Sequence, residues 1–327
     1  MKQLVRNVKI VGTGSYVPET VYTNEYLETI VPTNAEWIYE NVGIRERHIA
    51  APNQTTSDLA TEAGKRALED AGLQPSQIDL IIVATATADR KAPSTAAFVQ
   101  HKLNAYNAAA FDVSAVCSGF LFAMSVASQY IASGVYNHVL VIGADTFSRI
   151  TDWTRRDCIF FGDGAGAVYV EAAEDEEDTY SFVQHSDGVK GMVLKCGTRD
   201  LNNPLYKGEE QSKFVWMDGR EIFKFAVGQI PVCINEAMDK AGLTKDNIDL
   251  FILHQANKRI ISSIAKRMEL PEDRFPTNVE RVGNMSSAAI PVLLDECNRN
   301  GQLKKGMRLV LSGFGAGLTF GASIISW

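Results

Sequence analysis

The chain is poor in cysteine, and none of its cysteines is paired in sequence. Cys117, Cys158, Cys196, Cys233 and Cys297 are scattered through 327 residues with no C-x-x-C spacing. Zinc sites and disulfide frameworks are read from clustered or regularly spaced cysteines, so neither is expected. The odd count suits reduced thiols in a cytoplasmic protein. No uninterrupted apolar run approaches the ~20 residues of a membrane span. The opening MKQLVRNVKIVGTG also lacks the sustained apolar segment of a secretion signal. No membrane association is therefore expected. Positive charge is short too, with 32 Lys and Arg against 39 Asp and Glu, a formal charge of -7. That argues against a nucleic-acid partner, although a local basic patch remains compatible.

Apolar residues are plentiful. They make up 46% of the chain, enough for a large core. ALEDAGLQPSQIDLIIV (67–83) matches AMDKAGLTKDNIDLFIL (237–253) at eight of 17 positions, at an offset of 170. HVLVIGAD (138–145) aligns with RLVLSGFG (308–315) at the same offset, and two separate matches at one offset indicate a duplication. The first pair reads twice as a helix end, a glycine stop at Gly72 or Gly242, a short loop and a buried strand. The chain thus divides into related α/β halves, 1–170 and 171–327, built of layered sheets and helices. EAAEDEEDTYSF (171–182) reads as an acidic connector, and 196–213 as a polar surface loop.

The offset also places the reactive candidates. Cys117 in DVSAVCSGF maps onto Ser287 in GNMSSAAIP, and each precedes an apolar helix, 118–133 before Gly134 and roughly 287–300 before Gly301. His254, in LHQANKRI, maps onto Ala84. Under pseudo-twofold packing, the two helix N-termini converge and Cys117, His254 and Asn284 fall at strand ends or helix starts. A helix N-terminus would stabilise a Cys117 thiolate, and the Cys117 N–H could serve an oxyanion. Neutral His254 and Asn284 can both donate to a developing enolate oxygen. Each also has a plainer reading: a buried small hydrophobe, a satisfied strand-end histidine and a turn asparagine. GTGS (12–15), FGDGAGAV (161–168) and GFGAGLTFGA (313–322) mimic phosphate loops, but lack the G-K-[ST] ending or the full dinucleotide spacing.

These motifs, with EWIYENVGIRERHIA (36–50), PSTAA (93–97) and MDGREIFKFA (217–226), resemble the β-ketoacyl-acyl carrier protein synthase III family of thiolase-fold condensing enzymes, over essentially the whole chain. The resemblance implies an internally duplicated, five-layer αβαβα fold. It implies that Cys117 takes an acyl group from acyl-coenzyme A. Malonyl-acyl carrier protein then loses carbon dioxide, and its enolate attacks the acyl-cysteine. His254 and Asn284 would hold the thioester oxygen, and the N–H groups of Cys117 and Ala316 the tetrahedral oxyanion. Neither metal nor redox cofactor is implied, acyl-coenzyme A being a substrate. Thr33, Trp37, Arg155, Arg220, Phe223, Asn257 and Arg259 match coenzyme A-binding positions. Asn41 and Ala316 depart from the family, standing where an arginine and a glycine are common. Ala92 stands where phenylalanine often closes the partner's acyl pocket in a homodimer.

Independently, NKRIISSIAKRMEL (257–270) places Ile260, Ile261, Ile264 and Met268 on one helical face, with Lys258, Arg259, Lys266 and Arg267 largely on the other. That basic face would suit an acidic carrier protein. A papain-like protease shares the Cys, His, Asn order but needs a local cysteine signature that is absent here. A thiolase-fold acyltransferase with another acceptor, and a non-catalytic acyl-binding protein, stay open on sequence alone.

Overall fold

The computed structural model describes residues 7–173, 180–197, 204–205 and 213–327. Two mixed sheets carry the architecture. The first orders its strands Val8–Tyr16, Asp163–Ala172, His138–Thr146, Leu80–Ala84, Ala109–Val113. The second orders Leu250–Leu253, Arg308–Gly315, Thr319–Ser326, Tyr180–Ser186. The duplication holds to the residue: Leu80 pairs with Val139 in one sheet and Leu250 with Leu309 in the other, each 170 positions on. The fifth strand of the first sheet, Ala109–Val113, has its equivalent at 279–283, where the chain instead forms the short helix Val279–Val282.

Strand sequences show why five layers form. In LIIVA (80–84) all residues are buried. Leu80, Ile82 and Ala84 face the central layer, while Ile81 and Val83 face the outer helices. In LFIL (250–253), Leu250 and Ile252 face the same central layer, and Phe251 and Leu253 the opposite side. A strand covered on both faces must be apolar at every position, not at alternate ones. The central layer holds helices Gly119–Ser133 and Ala289–Arg299, one from each half. Helices Thr56–Ala71 and Thr95–Leu103 cover the first sheet outside, and Gly219–Ala241 and Lys258–Arg267 the second. This is the αβαβα arrangement, with one core shared by both halves.

The glycine motifs serve this packing. A Cβ on Gly166 would lie 2.5 Å from Val292 N, inside the helix that crosses it, and one on Gly12 would lie 2.4 Å from Ala67 O. Those glycines bring helices down onto strands, which accounts for the motif without a phosphate. Helix stops at Gly72 and Gly242 take the left-handed conformation, with φ of 67° and 69°.

Some sequence boundaries shift. Strand Asp163–Ala172 crosses the 170/171 division, and Tyr180–Ser186 begins inside the stretch read as a connector. Residues 174–179, and most of the polar loop at 196–213, lie outside the described residues. Among the described residues one helical segment, Val116–Ser133, is long and apolar enough to cross a membrane. It is the central-layer helix, packed between both sheets.

Candidate active site

The centre of the molecule is where the two half-helices begin. Cys117 sits in a single 3-10 turn, Val116–Ser118, directly before the Gly119–Ser133 helix. Its counterpart turn, Ser286–Ala288, precedes Ala289–Arg299. Both turns are entered through a left-handed residue, Val116 at φ 46° and Ser286 at φ 51°. Non-glycine residues pay for that conformation, on the order of 1–3 kcal/mol each. Gly119 lets the turns meet: a Cβ there would lie 3.1 Å from Ala84 Cβ and 3.8 Å from Ser287 Cβ.

Strand ends supply the rest. His254 follows Leu250–Leu253, and its N–H donates to Ser312 O at 2.8 Å. Gly313 packs between His254 and the Cys117 backbone, its missing Cβ 3.1 Å from His254 Cβ and 3.8 Å from Cys117 O. Gly315 lies so close to the cysteine turn that a Cβ would come within 2.8 Å of Cys117 N. Asn284 is tied by its own backbone, donating to Phe160 O at 2.8 Å and accepting from Gly162 N at 3.0 Å. Its Oδ1 accepts from Ser286 N at 2.9 Å, which leaves the Nδ2 amide as its free donor group.

Cys117, His254, Asn284 and Ala316 all line one cavity of about 350 Å3, with Phe223 and Asn257 further along its wall. Its other walls are mostly apolar, including Phe147, Ile150, Phe160 and Phe314. Burial lowers the His254 pKa to about 3, so the imidazole is neutral. His254 Nδ1 is sealed in without a hydrogen-bond partner, which leaves Nε2 as the nitrogen able to reach a substrate. A Phe314 ring stands edge-on to the imidazole at 5.6 Å.

The expected thiolate is not what the site favours. Burial pushes the Cys117 thiol up to about 12, against a smaller opposing effect of the Ser286 hydroxyl. The backbone N–H effect of the helix start also lowers it, but burial dominates. The Cys117 side chain therefore rests as a neutral thiol. Ser286 was missed by sequence reasoning, where it reads as one small residue in GNMSSAAIP. Cys117 Sγ donates to its Oγ at 3.5 Å, and burial raises the carboxyl of nearby Asp145 against smaller opposing hydrogen bonds from Ser287, Ala86 and the same Ser286 hydroxyl.

The remaining candidates are spread out. Thr33, Trp37, Arg155, Arg220 and Arg259 do not line the cavity. Arg155 is paired with Asp157 at 2.9 Å, whereas its neighbour Arg156 stacks on Trp37, 3.6 Å from the ring centre. Asn41 donates back to Trp37 O at 2.9 Å, so it cannot stand in for the arginine common there. Ala316 needs no left-handed φ, because that conformation falls on Gly317 at φ 139°. The Lys258–Arg267 helix buries Ile260, Ile261 and Ile264 and exposes Lys258, Arg259, Lys266 and Arg267. Asn257 caps that helix, accepting from Ile260 N at 2.9 Å. Ala92 is exposed and outside the cavity of a single chain.

A thiol able to hold an acyl group, set where two donors can reach an enolate oxygen, is what the thiolase-fold condensing acyltransferases require. Comparison with known proteins narrows this. Residues 111–188 match the family described as 3-oxoacyl-[acyl-carrier-protein] synthase III, and residues 238–327 match its C-terminal part. A β-ketoacyl-[acyl-carrier-protein] synthase III of Caldanaerobacter subterraneus is 46% identical over 321 residues, 97% of each chain. The crystal structure of the Aquifex aeolicus 3-oxoacyl-[acyl-carrier-protein] synthase III superposes with a TM-score of 0.92 at 40% identity, covering 98% of this chain and 100% of that one. A priming β-ketosynthase from the R1128 polyketide pathway gives a TM-score of 0.92 at 33% identity, covering 100% and 98%. The chain belongs to the β-ketoacyl-[acyl-carrier-protein] synthase III family, and is a condensing acyltransferase.

The Ser286 contact yields a measurable consequence. Ser286→Ala removes the only group that opposes burial from the side-chain direction, so Cys117 should alkylate more slowly with iodoacetamide at fixed pH. Each unit by which the thiol rises costs about tenfold in thiolate. Alkylation at the native rate across the pH profile would show that the hydroxyl does not act on the sulfur.

Proposed function

We propose that the chain condenses an acyl-coenzyme A primer with malonyl-acyl carrier protein, with Cys117, His254 and Asn284 as its catalytic residues. One observation carries the reading: the thiol, a neutral imidazole and an amide with only its N–H2 group free open into the same apolar cavity. Cys117 sulfur attacks the thioester carbon, and the N–H groups of Cys117 and Ala316 hold the tetrahedral oxygen. Coenzyme A leaves as the free thiol, carrying the equivalent of the cysteine proton, and the acyl group stays on sulfur. Malonyl thioester then enters and loses carbon dioxide. His254 Nε2–H and Asn284 Nδ2–H donate to the thioester oxygen as it gains negative charge. The enolate carbon attacks the acyl-cysteine carbonyl, the carbon–sulfur bond breaks to release β-ketoacyl-carrier protein, and the Cys117 sulfur takes a proton from solvent. Burial suits this second step, since a neutral imidazole donates without first drawing a competing counter-ion into the site.

The pantetheine arm would run along Phe223 and Asn257, with Thr33, Trp37, Arg155, Arg220 and Arg259 around the nucleotide outside the cavity. Arg156, already stacked on Trp37, joins that set. The exposed face of Lys258–Arg267 would receive the carrier protein. We propose a homodimer whose partner brings Ala92 toward the acyl pocket, in a reduced, cytoplasmic setting that suits the five free cysteines. The division at 170/171 separates a half bearing the nucleophile from a half bearing His254 and Asn284. The priming polyketide ketosynthase among the structural relatives leaves the product's destination, fatty acid or specialised compound, to a primer and acceptor panel.

Separating the two steps tests the roles. Cys117→Ala should form no acyl adduct in mass spectra after mixing with acetyl-coenzyme A. His254→Ala and Asn284→Ala should still become acylated but lose decarboxylation by about 100- to 1,000-fold. Condensation at near-native rate in His254→Ala contradicts the assignment.

Charge reversal tests docking. Arg259→Glu with Lys266→Glu should raise KM for malonyl-carrier protein and flatten its salt dependence, with less effect on acyl transfer from coenzyme A. Unchanged carrier-protein kinetics would reduce the basic face to solvated charge.

A further inference from the structure

Outside the catalytic cavity, the edge strand of the second sheet meets the long outer helix around three metal-binding side chains. His185 lies near the end of strand Tyr180–Ser186, and Cys233 and Glu236 lie one turn apart on helix Gly219–Ala241. An i, i+3 spacing puts both helix residues on one face. A ring nitrogen of His185, Cys233 Sγ and a Glu236 carboxylate oxygen all lie within 4.8 Å of one another. They open into a pocket of about 330 Å3 that is distinct from the catalytic cavity. His185 Nε2 already lies 2.7 Å from Glu236 Oε2. Cys233 Sγ has only a distant acceptor, Val183 O at 3.8 Å.

We propose that His185, Cys233 and Glu236 form a three-donor site for a zinc-class divalent metal, with water in the fourth position. Nitrogen, sulfur and carboxylate oxygen together suit zinc or cobalt, whereas magnesium and calcium want oxygen alone. Coordination requires the donors to draw in to about 2.0–2.3 Å from the ion. Cys233 is fixed in the core, while the side chains of His185 and Glu236 are 43% and 45% exposed and have room to move. On binding, the Cys233 thiol gives its proton to solvent, and the ion exchanges the His185–Glu236 hydrogen bond for two bonds to itself. Asp187, on the same pocket wall, adds negative charge. Lys190, also on that wall, opposes it, with its ammonium 5.8 Å from the Phe225 ring centre.

The site would act on the mouth of the catalytic cavity without entering the reaction. It ties the edge strand to the helix whose first residues, Gly219, Ile222 and Phe223, line that cavity. The strand leads directly into Asp187, which is clipped to Leu318 by backbone bonds of 2.7 and 2.9 Å, two residues from Ala316. Nothing in the sequence marks the cluster, because His185 and Cys233 are brought together by the strand–helix packing alone.

Cobalt titration of the chelator-stripped enzyme tests it. The native protein should bind one equivalent and develop a thiolate-to-cobalt charge-transfer band. Cys233→Ser should lose the band. His185→Gln, which leaves the core untouched, should weaken binding by at least about tenfold. Zinc should raise the unfolding temperature of the native protein but not of His185→Gln. The proposal fails if no band forms, if the band persists in Cys233→Ser and so comes from another thiol, or if His185→Gln titrates like the native enzyme.

Discussion

Cys117 and His254 are buried where the two halves meet, and the proposed chemistry depends on that burial. Burial lowers His254 to about 3, and burial, outweighing the Ser286 hydroxyl and the local backbone, raises Cys117 to about 12, so both groups line the cavity uncharged. The same desolvation shapes stability. A histidine depressed from 6.5 favours the fold fully above 6.5, and this contribution is lost as pH falls toward about 3. A cysteine raised from 9 favours the fold below 9, and this contribution is lost as pH rises toward about 12. Both contributions are present together between 6.5 and 9, the range in which both groups are neutral in the folded and unfolded chain.

Duplication made this joint, and a few substitutions made it asymmetric. At the offset of 170, Ser287 stands for Cys117, Ala84 for His254 and Asp145 for Gly315. In the silent half, Ser287 Oγ is held by Ala84 O at 2.9 Å and Asp145 Oδ2 at 2.7 Å. Asp145 also accepts from Thr85, Ala86 and Thr87, so its carboxylate fills and closes that mouth. In the half bearing Cys117, glycine at 315 lets its strand approach the cysteine turn closely, where a Cβ would lie 2.8 Å from Cys117 N. One helix start is bolted by a buried acid, and its twin can therefore present a thiol to a cavity.

The repeat was legible because its strands and glycine stops answer to packing that recurs in both halves. Cys117, His254 and Asn284 could be found because the offset gave them addresses at strand ends and helix starts. The state of the cysteine could not be read. A helix N-terminus argues for a thiolate, but how deeply a turn is buried depends on residues such as Phe160 and Phe314, which are distant in sequence. Ser286 was hidden for the same reason: a small residue between two others gains its role only when the opposite turn arrives. Arg156 could not be singled out from the sequence: Arg155, the family position, pairs with Asp157, and its neighbour Arg156 lies over Trp37 only once the chain has folded. The glycine motifs could be excluded as phosphate loops from their spacing, but their packing role, helices pressed on strands, was visible only in the fold.

The neutrality of His254 is the claim on which the mechanism rests, and it can be observed directly. The five histidines can be followed by heteronuclear NMR of labelled protein, with His254→Gln identifying the relevant imidazole. The account predicts that the His254 ring stays neutral as pH is lowered from about 8 to about 5. A His254 midpoint near the ordinary 6.5 would contradict it.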